Sequence, residues 1–80
     1  MHIEALVRMA NQIGGFFEAM PDRTEALDGA AQHIKKFWEP RMRNELLAHV
    51  DAGGAELNAF VLEAITSHRA MLQPALRNAA

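Results

Sequence analysis

The side chains best equipped for chemistry in this 80-residue chain are four histidines, one serine, two threonines and ten carboxylates. Imidazoles ligate zinc or relay protons when two of them share a helix face, as in H-E-x-x-H, or when thiolates complete the set. His2, His33, His49 and His68 show no such spacing, and the chain has no cysteine. His68 falls on an apolar stripe and His33 borders one, which predicts hydrogen-bonded or half-exposed rings rather than ligands. Ser67, Thr24 and Thr66 lie outside any G-x-S-x-G elbow. The glycine pairs Gly14-Gly15 and Gly53-Gly54 lack the G-x-G-x-x-G and G-K-[ST] patterns of phosphate loops. Helix capping and solvation account for the carboxylates. The chain by itself is expected to be neither a catalyst nor a metal or cofactor binder.

One segment is denser in possibilities, His33-Ile-Lys-Lys-Phe-Trp-Glu-Pro-Arg-Met-Arg43. Basic residues interleaved with aromatics can hold single-stranded nucleic acid by stacking bases on the rings. Phe37 and Trp38, however, share a helical arc with Ile34, and that spacing favours burial in a core. Arg43 shares a face with Leu46, Leu47 and Val50, where a bundle helix normally carries an aliphatic residue. It reads either as a snorkelling stem or as a guanidinium held for a carboxylate or for a partner's carbonyls. Arg41 points elsewhere and is expected to be solvated or interfacial.

The elements that position these residues are all helical, since no run of β-branched and aromatic residues alternates with period two. In the first helix Ile3, Leu6, Val7, Ala10, Ile13 and Phe17 share a face, widened by Met9, Phe16 and Met20. Gly14-Gly15 lies inside it, so that either the helix ends early or something packs close to its backbone, and Pro21 stops it. Asp22, with Glu25 three residues on, predicts the N-cap of a second helix carrying Ala26, Leu27, Ala30, Ala31, Ile34, Phe37 and Trp38. Pro40 opens a third helix with Met42, Leu46, Leu47 and Val50, closed by Gly53-Gly54. A fourth carries Leu57, Phe60, Val61, Ala64, Ile65 and Leu72, with Asn58 as its cap if Leu57 lies in the loop before it. The expected fold is therefore all-α, a compact bundle of four short helices over residues 1–72, followed by a tail over 73–80.

Composition narrows the function classes. A net charge of −2 gives no electrostatic reason to seek nucleic acid or an anionic membrane. No apolar stretch approaches the roughly 18–20 residues that span a bilayer. Met1-His2-Ile3-Glu4 lacks the basic and apolar blocks of a signal peptide. So short a chain buries only about 60–65% of its unfolded surface and has a thin stability margin. Yet it carries five Met, four Phe and one Trp. Leu62 off the fourth stripe, and Met9, Phe16 and Met20 at the edge of the first, leave apolar edges rimmed by Asn11, Gln12 and Glu18. Such edges suggest a protein-docking surface.

Two blocks carry a family resemblance. One is Leu6-Val-Arg-Met-Ala-Asn-Gln-Ile-Gly14 with Phe16-Phe17 and Pro21-Asp22; the other is the 33–43 segment with Leu46-Leu47, His49 and Gly53-Gly54. Together they resemble the delta subunit of the soluble, multi-subunit NAD-dependent formate dehydrogenases over roughly residues 3–65. The match weakens after Gly54, where the family tends toward a proline entering the last helix and this chain has Ala59. The resemblance implies a cytoplasmic complex that oxidises formate to carbon dioxide and reduces NAD. It places a molybdenum or tungsten pterin and iron–sulfur clusters in a large catalytic subunit, and flavin (FMN) in another. This chain would then be a non-catalytic accessory subunit that docks on the large subunit and aids its assembly, cofactor retention or stability. The matched residues least explained by a minimal core are Asn11, Gln12, Phe16, Arg41 and Arg43, expected at the contact, with Trp38 and Pro40 shaping the corner between helices two and three. The alternative is a free-standing small helical regulator binding nucleic acid through Lys35, Lys36, Arg41 and Arg43; a homodimeric metal- or ligand-binding bundle is a third possibility.

Overall fold

The computed structural model describes residues 2–74, in which the chain forms α1 (Ile3–Glu18), α2 (Arg23–Phe37), α3 (Pro40–Asp51), α4 (Ala59–Ser67) and α5 (Arg69–Leu72). No strand occurs among the described residues. Of the expected tail, only Gln73 and Pro74 fall within them; 75–80 lie outside.

α1 runs unbroken through Gly14-Gly15. The reason lies in α4: a Cβ on Gly14 would stand 2.1 Å from Val61 Cγ2, so the absent side chain is what lets α1 and α4 approach. Gly15 meets nothing within 4 Å. A short connection through Pro21 leads into α2, whose N-cap Asp22 accepts a 3.0 Å hydrogen bond from the Glu25 N–H, as the spacing predicts. Ala26, Leu27, Ala30, Ala31 and Ile34 form the buried face of α2. Beside them Gly29 makes room for Phe17, whose ring carbons would lie 2.8 Å from a Cβ at that position.

The helix α2 ends at Phe37, and Trp38 takes an extended conformation (φ −92°, ψ 137°) that turns the chain into Pro40 at the start of α3. Pro40 disfavours helical geometry in the residue before it, Glu39 (φ −66°, ψ 155°), so α2 cannot run on continuously into α3. At the other end of α3, Gly54 N–H donates to His49 C=O (2.9 Å) and Gly53 N–H to Val50 C=O (3.0 Å), with Gly53 at φ +120°. Those two bonds make a Schellman motif, which requires the left-handed residue that glycine supplies. Asn58 caps α4 by accepting from the Val61 N–H at 2.8 Å, and Leu57 lies in the preceding loop.

The expected fourth helix is divided. It is interrupted at His68 (φ −120°, ψ 26°), leaving a one-turn α5. Three successive polar side chains compete there for helix carbonyls. Thr66 Oγ1 and Ser67 Oγ donate to Glu63 C=O at 3.2 and 2.7 Å, and His68 Nδ1 lies 3.0 Å from Ala64 C=O. The resulting bend brings Leu72 into the core beside Leu6, Ile34, Leu46 and Ile65, all essentially without solvent contact. Two surface ion pairs brace the ends of the fold. Arg23 pairs with Glu63 while stacking on Phe60, and Arg69 grips Asp51 with two hydrogen bonds of 2.9 and 2.8 Å.

Candidate functional site

Packing α1 against α2 leaves one side of their contact unfilled. An open groove of about 560 Å³ lies between α1 and the α2–α3 corner. Met9, Ile13, Phe16 and Phe17 form its α1 wall at helical spacing; His33, Phe37 and Trp38 come from the end of α2, and Met42 from α3. Gln12 and His33 are the polar residues of its lining, and no carboxylate contributes.

The groove is edged by a continuous aromatic strip. Phe16 meets Phe17 edge-on at 5.1 Å between centroids, Phe17 lies 6.0 Å from the His33 ring, and His33 lies 4.8 Å from Phe37. The two ends of this strip are the large exposed hydrophobics among the described residues, Phe16 at 74% and Phe37 at 67% of full exposure. Burying a phenylalanine side chain is worth about 1.5–3 kcal/mol, so two exposed rings beside an apolar groove are a store of unused association energy. Trp38 forms the inner wall and is only 6% exposed, which places it in the core rather than on a stacking platform.

The structure sorts the sequence-predicted contact residues into groups. Gln12, Phe16 and Trp38 meet in the groove. Pro40 and Arg41 are exposed at the start of α3, immediately before the lining residue Met42. Asn11 sits apart, half-buried, with its amide engaged by the loop before α4: Nδ2 donates to Glu56 C=O and Oδ1 accepts from Asn58 N–H, both at 2.9 Å. That double bond holds Glu56 at φ +71°, the one left-handed residue other than glycine among those described. Arg43 is turned away from the groove. Its Nη1 donates to Leu72 C=O at 3.2 Å and its Nε is buried without a partner, so the carbonyl it takes is the chain's own, at the end of α5. A cation there is favoured by the helix dipole.

Two expectations are corrected. Phe37, placed in the core by its spacing from Ile34, is exposed because α2 ends on it and the extended Trp38 swings inward instead. Around a helix Phe37 lies about 60° from Ile34, on the His33 side, which is the groove side. The sequence signal was the i, i+4 pair His33–Phe37 just ahead of Pro40. Leu62 and Met20, expected as surplus edges, are half-buried, Leu62 against Gly54 and Met20 on the core, whereas Met9 packs on the core and also lines the groove.

The described residues hold no group of three or more His, Asp or Glu side chains placed for a metal ion, and none of their helices is long and apolar enough to cross a membrane. A family model for the NADH-dependent formate dehydrogenase delta subunit, FdsD, matches residues 5–65. The chain belongs to this family. No curated protein and no solved structure matches it. As a delta subunit the chain is one component of a multi-subunit formate dehydrogenase. The FdsD match spans every residue that lines the groove and ends before α5.

Proposed function

We propose that the chain is a non-catalytic docking subunit of a cytoplasmic, NAD-dependent formate dehydrogenase, binding the large catalytic subunit through the Phe16–Phe37 groove. The observation that carries this reading is the aromatic strip left open to solvent on a chain whose family is, by description, a subunit. The redox groups belong to the other subunits. An iron–sulfur cluster takes thiolate ligands, and this chain has no cysteine; the pterin-bound molybdenum or tungsten and the FMN are assigned to the other subunits by the same reading. What the chain contributes is binding energy. A subunit that binds the cofactor-loaded conformation of its partner more tightly than the empty one shifts the population toward the loaded state, by the differential affinity and no more.

The test is co-purification of a Phe16→Ala variant with the large subunit. Loss of an aromatic anchor at an interface costs about 1–2 kcal/mol or more, so affinity is expected to fall roughly fivefold to thirtyfold or further. Pterin and metal content of the recovered large subunit should fall in step. Because Phe16 is exposed, the thermal midpoint of the variant should stay within a few degrees of the parent. Undiminished stoichiometry and cofactor content would contradict docking through this groove.

A further inference from the structure

We infer that the groove's occupant is an amphipathic helix of the partner whose apolar stripe is bordered by aspartate and glutamate. This rests on the docking reading above and adds to it the chemistry of the segment that docks. Three features point to it. The first is backbone accounting. The long walls of the groove are α1 and the end of α2, whose backbone groups along that stretch are mostly paired within the helices, so an extended peptide lying in it would bury groups with little to bond. A helix brings its own hydrogen bonds and presents apolar side chains at i, i+3 or i+4 and i+7.

The second is length. From Met9 to Phe17 the α1 wall rises about 12 Å, a little over two helical turns, which accommodates two or three such anchors.

The third is charge. Lys36 and Arg41 are exposed and form no ion pair among the described residues, whereas Arg23 and Arg69 are paired. Lys36 falls about 60° from His33 around α2, on the outer side of the groove, while Lys35 falls on the opposite side of the helix. Arg41 precedes the lining residue Met42 at the start of α3, where the uncapped helix N-terminus adds positive potential. Glu39, in the N-cap position, and Glu45, one helical turn on from Arg41, are carboxylates close by on the chain, and neither lines the groove. The groove thus has an apolar floor, no acidic lining and a basic edge. A second copy of the chain is a poor occupant. Two-fold pairing of identical grooves would set Lys36 and Arg41 against their own kind.

The experiment uses the full chain and two synthetic helical peptides of about four turns with the same leucine stripe, one edged by glutamate and one by lysine. Binding is followed by fluorescence anisotropy and by the indole N–H resonance of Trp38, the chain's one tryptophan and part of the groove wall. The glutamate-edged peptide is expected to bind at least about tenfold tighter, the gap closing as salt rises from about 50 to 500 mM. In the Lys36→Glu/Arg41→Glu variant the preference should invert. Equal binding of both peptides, or no shift of Trp38 with either, would overturn the inference. So would self-association that Phe16→Ala abolishes, which assigns the groove to a second copy, or an oligonucleotide that displaces the acidic peptide. Docking itself is scored separately: dependence of large-subunit binding on Phe16 without any charge preference leaves that reading standing and removes this one.

Discussion

Trp38→Ala is expected to remove about 3–5 kcal/mol of folding stability, the range for deleting a buried aromatic side chain. For a chain of this length the total is about 4–12 kcal/mol, so the loss takes a large share of it and, at the lower end of that range, carries the variant past its unfolding midpoint at room temperature. The size of the effect follows from position. Trp38 is 6% exposed, belongs to the same buried cluster as Leu6, Ile34 and Leu72, and forms the pivot where α2 gives way to α3. Its loss would empty the inner wall of the groove and free the corner that Pro40 starts. Trp38→Phe keeps a ring in the site and should cost about half as much or less. Urea unfolding followed by helical circular dichroism measures both variants without relying on the tryptophan signal. A cost below about 1 kcal/mol for Trp38→Ala would mean that the residue is not packed as described.

Gly14→Ala is expected to destabilise the fold although it places the best helix former inside a helix. Taken alone, helix propensity predicts a gain of about 1 kcal/mol. Against it stands the new methyl, 2.1 Å from Val61 Cγ2. Valine is stiff at χ1 on a helix, so the clash is relieved by moving α1 away from α4 rather than by turning one side chain. Overpacking of this kind costs about 1–3 kcal/mol before any offset, and a clash so close belongs at the upper end. A net loss of about 2 kcal/mol lowers the thermal midpoint by about 8–16 °C in a domain of this size. Gly15→Ala is the matched control. It is the next residue of the same helix, with nothing within 4 Å and an exposed position, so it should raise the midpoint. Opposite signs at adjacent glycines are the signature of a close helix contact at Gly14; a rise at both would contradict it.

The helices and their caps were legible in the sequence because they rest on local chemistry. Asp22 and Asn58 cap as their spacing requires, and Gly53-Gly54 closes α3 with a left-handed turn. The apolar periods of α1 and α2 select the same buried faces that the structure shows. What escaped was set by contacts distant in sequence or by competition within a turn. Nothing local says whether Gly14-Gly15 ends a helix or admits a neighbour; Val61 decides that. The break at His68 arises because Thr66, Ser67 and His68 act together on the same carbonyls, whereas the apolar period alone runs through to Leu72.

The candidate site was legible in part for the same reason. Phe16 and Gln12 stood out as excess over a minimal core and do line the groove. Asn11 and Arg43 stood out equally, yet their polar groups bind the chain's own Glu56, Asn58 and Leu72. A polar residue on an apolar face signals an unusual partner without saying whether that partner lies in the same chain. Phe37 was hidden by the reverse ambiguity: helical spacing identified an aromatic on the core arc, and the end of α2 moved it to the surface.

The most direct measurement is photo-crosslinking within the assembled enzyme from benzoylphenylalanine placed at position 16, with position 4 as the control: Glu4 lines a separate open cleft, with Val7, Arg8, His49 and Glu56, on the other side of α1. An adduct to the large catalytic subunit from position 16 and none from position 4 is the expected result. An adduct from position 4 with none from position 16 would show that the subunit docks by another face and that the Phe16–Phe37 groove is not its contact.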